Sequence, residues 1–152
     1  MELKIDEKVV LVTGSSKGIG REIASVLDNE GCKVVLNSRN EEDLELVVKD
    51  FSSKTRLCAA DVTKKHDCEK IIEFISKEFG RLDFLVCNVG SGKIDSTINE
   101  DLQLKKMLEV NFSSSKNIIE TCYDELKKSQ GSIVCISSIA GISSSVNAPK
   151  AY

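Results

Sequence analysis

Short runs rich in β-branched residues alternate along this chain with longer segments whose apolar positions recur every three to four residues. The runs KVVLVT (8–13), KVVLNS (33–38), TRLCAA (55–60), DFLVCN (83–88) and SIVCIS (132–137) predict five strands. Three are almost continuously apolar, the pattern of parallel strands covered on both faces. Between the runs, Ile19, Ile23, Val26 and Leu27 mark one face of a helix over 18–30. Ile71, Ile72, Ile75 and Phe79 mark another over 64–79. A shorter helix is expected over 41–50, around Leu44, Val47 and Val48. A long helical stretch over 100–128 carries Leu104, Met107, Leu108, Ile118, Ile119 and Tyr123. Asp61 and Thr63 precede the 64–79 helix and are candidates to accept from its free amides. Gly31, Gly80 and Gly131 stand at helix-to-strand junctions, where a left-handed stop costs glycine little. Strand–helix alternation through five strands implies right-handed crossovers and an α/β fold with a doubly wound parallel sheet. The stretch VGSGKIDSTIN (89–99) reads as a polar loop after the fourth strand.

Length and composition narrow the field. At 152 residues, 41% hydrophobic and 30% charged, the chain is expected to form a single domain over 1–152. A net charge of −3 gives no basic footprint for nucleic acid. No apolar run approaches the roughly 20 residues of a membrane span. The opening MELKIDEKVV lacks the apolar core of an export signal, so a cytoplasmic location is expected. Six cysteines, at 32, 58, 68, 87, 122 and 135, form no C-x-x-C pair and read as reduced thiols, most of them small core residues. The only histidine, His66, lies in the charged segment TKKHDCEK and reads as a solvated helix residue; no metal site is expected.

The candidate chemistry begins at the end of the first strand, which runs into TGSSKGIG with glycines at 14, 18 and 20. Such glycines let the chain turn sharply and bring backbone N–H groups against a pyrophosphate at the positive end of the following helix. The position between a β-branched strand and an amphipathic helix strengthens a motif that is weak alone. GSGK at 90–93 is not a Walker loop: Cys87 stands where the first glycine belongs, and Ile94 replaces the Ser/Thr. The second strand ends in LNSRNEEDL. There an acidic residue would bind the ribose hydroxyls of NAD, whereas an arginine nearby accommodates the 2′-phosphate of NADP. Ser38 occupies the acidic position, Arg39 follows, and Lys17 in the glycine loop is placed to face the same phosphate. These residues favour NADP over NAD.

Together these residues resemble the short-chain dehydrogenase/reductase family, over the whole chain. TGSSKGIG resembles its T-G-x-x-x-G-x-G loop, in which Gly14, Ser16, Lys17, Gly18, Ile19 and Gly20 would line the cofactor. Asp61 and Val62 resemble its adenine-contacting pair. CNVG at 87–90 resembles its N-N-A-G stretch, with Asn88 and Gly90 retained and Cys87 and Val89 departing from it. Asn111 falls where the family places its mid-helix asparagine, and SSIAG at 137–141 matches S-S-x-x-G, which makes Ser138 the catalytic serine. The resemblance implies a Rossmann sheet of strand order 3-2-1-4-5, truncated before its last two strands.

It also implies a reaction: hydride transfer between NADP(H) and a carbonyl or alcohol. Tyr152, fourteen residues after Ser138, would act as general acid/base. Ser138 would hold the substrate oxygen, and Asn111 a water that relays protons. A phenol titrates near 10, so a nearby cation is needed to bring it toward neutral pH. The family supplies a lysine four residues after the tyrosine, beyond the 152 residues here. The chain is therefore expected to be the amino-terminal part of a longer domain, inactive as it stands, whose full-length form is a homodimer or homotetramer. Two rivals remain: a non-catalytic dinucleotide sensor on the same fold, and a Rossmann-type methyltransferase. The glycine spacing and Arg39 disfavour the second.

Overall fold

The computed structural model describes residues 4–92 and 98–139. Tyr152 and Gly141 lie outside the described residues. The elements follow in the order β1 (Val9–Thr13), α1 (Gly18–Asn29), β2 (Lys33–Ser38), α2 (Glu41–Val47), β3 (Arg56–Ala59), α3 (Lys65–Phe79), β4 (Phe84–Cys87), α4 (Glu100–Leu108), α5 (Ser114–Ser129) and β5 (Ser132–Cys135). A π-helical turn, Glu109–Ser113, joins α4 to α5. The sheet has the order β3-β2-β1-β4-β5, with every pairing parallel. This is the expected doubly wound order.

All five residues of β1 are buried because the sheet carries helices on both faces. Leu11 pairs in register with Val35 on one side and Leu85 on the other. Those three side chains join Ile71 and Ile75 of α3 and Ile118 and Cys122 of α5 in one core layer. Val10, Val12, Val34 and Leu36 point to the opposite face, against Ala24 of α1 and Leu44 of α2. Each large aliphatic side chain enclosed in this way stabilises the fold by about 1.5–3 kcal/mol relative to exposure.

Three local expectations are corrected. The buried stripe of α1 consists of Gly20 and Ala24, flanked by Ile23 and Leu27, while Ile19 and Val26 are 65% and 59% exposed. Small residues decide that face, because a Cβ at Gly20 would collide with the Gly14 carbonyl and the Asn88 side chain. The left-handed residue closing α5 is Gln130 (φ 55°), not Gly131. Gly131 is needed for space: its missing Cβ would overlap the Asp83 carbonyl. Nor do Asp61 and Thr63 cap α3. The Asp61 carboxylate instead accepts from the Thr63 N–H (3.1 Å) and hydroxyl (2.8 Å).

Asp83 ties the starts of β1 and β4 together. Its carboxylate accepts from Val9 N–H at 3.0 Å, from Lys8 Nζ at 3.2 Å and from Arg81 Nε at 2.9 Å. All six cysteines are free thiols, and Cys32, Cys68, Cys87 and Cys122 are buried. His66 is exposed on α3, with Nε2 3.1 Å from Asp67 Oδ1. Among the described residues no helix is long and apolar enough to cross a membrane.

Candidate functional site

A cleft of about 750 Å³ opens at the carboxyl ends of β1–β4. That is where parallel α/β sheets place ligands, and the volume lies in the range of small-molecule sites. Of the residues expected to contact a dinucleotide, Gly14, Ser16, Lys17, Ile19, Ser38, Arg39, Asp61, Val62, Asn88 and Gly90 all line it. Gly18 and Gly20 do not. Gly18 turns the loop with φ 56° in open space, and Gly20 packs α1 against the loop.

The loop is held from two sides. Thr13 Oγ1 donates to Val86 O (3.2 Å) and accepts from Asn88 N–H (3.0 Å). Asn88 Nδ2 donates to Thr13 O (3.2 Å) and Gly14 O (3.1 Å), so both amide hydrogens clamp the loop to the tip of β4. On the other flank, Ser15 N–H donates to Asn37 O (2.9 Å), and Ser15 Oγ accepts from Asn37 N–H (2.9 Å). With the loop fixed, α1 begins at Gly18 with Lys17 as an uncapped entry and no acidic residue in its first turn. By contrast, α2 and α4 are capped by Asn40 and Asn99 and carry two or more acids in their first turns. An uncapped helix start with free amides and the positive dipole end suits an anion.

The cleft also holds residues that the sequence did not single out. Asn37 lies on its floor, fully buried. Its Nδ2 donates to Cys58 O (3.0 Å) and Ala60 O (3.2 Å), which fixes the amide orientation. Oδ1 is left without a partner among the described residues. A buried orphan acceptor beneath a polar cleft fits a site built for a ligand or water with donor groups. Within KVVLNS it reads only as a strand residue, so periodicity gives no signal.

Around the nucleotide end, Ser38 Oγ donates to Asn40 O (2.9 Å) and accepts from Asn40 N–H, shaping the turn that presents Arg39. Among the described residues neither Lys17 nor Arg39 is in an ion pair. At the other end, Asn111 sits in the π-helical turn beside Val110, which lines the cleft. Its Oδ1 accepts from Ser91 N–H (2.7 Å) and its Nδ2 donates to Ser91 O (3.1 Å), anchoring the chain that leaves β4. Ser138 is half-buried, three residues beyond β5, and does not belong to the lining of the cleft. The expected partner of both, Tyr152, lies outside the described residues.

A family model for short chain dehydrogenases matches residues 8–152. The chain belongs to the short-chain dehydrogenase family. Its relatives include a dehydrogenase/reductase SDR family protein 7-like of Dictyostelium discoideum, 34% identical over 151 residues, which covers 92% of this chain and 48% of that one. Among solved structures it is similar to 7α-hydroxysteroid dehydrogenase complexed with NADH and 7-oxo glycochenodeoxycholic acid (TM-score 0.88, 26% identity, 96% of this chain and 59% of that one). It is equally close to the Pseudomonas aeruginosa RhlG/NADP active-site complex (TM-score 0.88, 25% identity, 97% and 61%). This short-chain dehydrogenase sequence thus spans about half the length of the curated relative and about three-fifths of the two structures. The family assignment and the Rossmann sheet order agree with the expectations from the sequence.

Proposed function

We propose that this chain is the cofactor-binding part of an NADP(H)-dependent oxidoreductase that interconverts a carbonyl and an alcohol. The observation that carries this reading is the cleft at the tips of β1–β4, which joins an uncapped helix start to two cations, Lys17 and Arg39, with no acid at position 38. The uncapped amides after Gly14 receive the pyrophosphate. Arg39 and Lys17 face the 2′-phosphate, and Asp61 and Val62 border the adenine. Family membership and the similarity to the RhlG/NADP complex support the same assignment. The related complex with NADH shows that the fold accommodates either dinucleotide.

When bound, the nicotinamide supplies or accepts a hydride. The protein's own residues handle the oxygen and its proton. Ser138 donates a hydrogen bond to the substrate oxygen, and Tyr152 gives the proton to the alkoxide formed on reduction or removes it on oxidation. Asn111, whose side chain bonds the Ser91 backbone and so fixes the segment after β4, positions a water for proton relay. In the full-length form the assembly is a homodimer or homotetramer acting in the cytoplasm.

Calorimetric titration with NADP⁺ and NAD⁺ tests the cofactor assignment. Each charge-assisted contact is worth roughly 1.5–3 kcal/mol, so NADP⁺ is expected to bind at least about tenfold more tightly. Equal or tighter NAD⁺ binding overturns the preference, and no binding of either overturns the site.

A further inference from the structure

The turn that follows β3, residues 60–63, lines the cleft with all four of its residues, and three other elements hold it. From β2, Asn37 Nδ2 donates to Ala60 O (3.2 Å). From α3, Asp67 Oδ2 accepts from Asp61 N–H (3.2 Å). From α5, Asn117 Nδ2 donates to Thr63 O (2.8 Å). Asp67 and Asn117 do not line the cleft themselves.

Within the turn the Asp61 carboxylate is divided. Its Oδ1 accepts from both the N–H and the hydroxyl of Thr63, which ties its direction to the turn. Among the described residues no hydrogen bond engages Oδ2, so one acceptor is left for a ligand donor. Asp67 is divided in the same way. Lys70 Nζ (2.8 Å) and His66 Nε2 (3.1 Å) approach its Oδ1, while Oδ2 takes the Asp61 N–H. The Lys70 ammonium and the Asp61 N–H hold its carboxyl below the ordinary value, so it is charged at neutral pH. The entry of α3, Lys64, offers no side-chain cap, and the one acid of its first turn, Asp67, reaches back to the cleft turn.

We propose that Asp67 and Asn117 are positioning residues for purine recognition: they hold the 60–63 turn so that the Asp61 carboxylate meets the exocyclic amine of adenine. This role rests on the dinucleotide reading of the cleft. An amine donates to a carboxylate, whereas the oxygen that hypoxanthine carries at the same place faces its lone pairs. Discrimination between the two purines therefore depends on where Asp61 Oδ2 stands. Without the Asp67 acceptor the Asp61 N–H loses its partner, and without the Asn117 amide Thr63 O loses its own. Either loss frees the turn and blunts the discrimination, while Lys17 and Arg39 at the 2′-phosphate end are untouched.

Calorimetric titration of the chain with NADP⁺, its hypoxanthine analogue and NAD⁺ tests this role. The parent should prefer NADP⁺ to the hypoxanthine analogue by at least about tenfold, the worth of one hydrogen bond to a charged group. In Asp67→Ala and in Asn117→Ala that ratio should fall to about threefold or less, with the ratio of NADP⁺ to NAD⁺ retained. Asp67→Asn keeps an acceptor oxygen for the Asp61 N–H and should restore the purine ratio. Lys70→Ala removes only the outer ion pair and should leave it as in the parent. The two alanine variants lie on different helices, so either carries the test if the other fails to fold by circular dichroism. Asp61→Ala separates the two readings. If it abolishes the purine preference but a folded Asp67→Ala or Asn117→Ala does not reduce it, Asp61 still reads the base and the positioning role is overturned. No purine preference in the parent overturns the reading of Asp61 and the positioning role with it. Equal weakening of all three dinucleotides in the alanine variants marks a merely structural role and overturns the proposal as well.

Discussion

The central strand of the sheet, β1, and its edge strand, β5, are finished differently. In β1 every residue is buried, and the loop leaving it is anchored by Thr13, Ser15, Asn37 and Asn88 through reciprocal hydrogen bonds. In β5 every residue is exposed, with Val134 at 52%, although its ladder to β4 is complete over four registered pairs. Backbone pairing alone therefore does not make a strand part of the core. Burial of side chains on both faces does, and the glycine loop inherits its rigidity from the buried strand.

The largest effect should come from breaking that rigidity. Gly20→Ala places a methyl group against the Gly14 carbonyl and the Asn88 amide, both of which are fixed. We expect destabilisation of about 3 kcal/mol, as for overpacked cores, and dinucleotide affinity reduced by roughly 100-fold. Gly18→Ala meets nothing within 4 Å and incurs only the left-handed backbone cost, about 1–2 kcal/mol. Paired urea denaturation and titration calorimetry check both. A Gly20 variant no worse than the Gly18 variant would show that the loop yields.

Asp83 offers the next break, at the starting ends of the strands and away from the cleft. Burial alone would raise its pKa, but the Arg81 guanidinium, the Val9 N–H and Lys8 more than offset this and hold the carboxyl below its ordinary value. A group with a depressed folded-state pKa contributes stability above its unfolded value, about 3.9, and loses it as pH falls through the lower folded value. Asp83→Asn should therefore destabilise by about 2 kcal/mol at pH 7. The difference from the parent should shrink in acid, read from melts between pH 7 and pH 2. A pH-independent difference would mean that the carboxylate charge is not what matters.

These comparisons also explain what was legible in the sequence. Strand and helix order, sheet topology and the glycine loop could be read because hydrophobic period and turn chemistry point to one arrangement. Asn37 was not, since its importance lies in three neighbours distant in sequence, Ser15, Cys58 and Ala60. The buried stripe of α1 was misread because hydrophobicity does not report close approach, which favours Gly20 and Ala24 over Ile19. The C-cap of α5 moved to Gln130 for a related reason. Gly131 is conformationally suited to it, but its lack of a side chain is needed against Asp83.

The proposed NADP preference gives a smaller effect, confined to the open end of the cleft. Arg39→Ala should weaken NADP⁺ binding about tenfold, or 1.4 kcal/mol, and leave NAD⁺ binding and thermal stability unchanged. Raising the salt concentration should shrink the parent's preference as well, because Arg39 is exposed. An equal loss for both dinucleotides would assign Arg39 to general binding.

A near-zero effect, expected at Val134, sharpens the contrast most directly, because it is set against a partner in the same ladder. Val86 and Val134 are registered Cα partners, 7% and 52% exposed. The same truncation should therefore read out burial with pairing held constant. Val86→Ala is expected to cost about 2 kcal/mol, the removal of buried methyl groups from a packed layer. Val134→Ala should stay within about 0.5 kcal/mol, as for surface substitutions. Val134→Lys should be equally mild for unfolding but should reduce self-association at high concentration, since a charge on an exposed strand opposes edge pairing. Chemical denaturation and sedimentation velocity separate the two readouts. If Val134→Ala cost as much as Val86→Ala, β5 would be packed in solution against a surface that buries it, and the distinction between its pairing and its burial would fail.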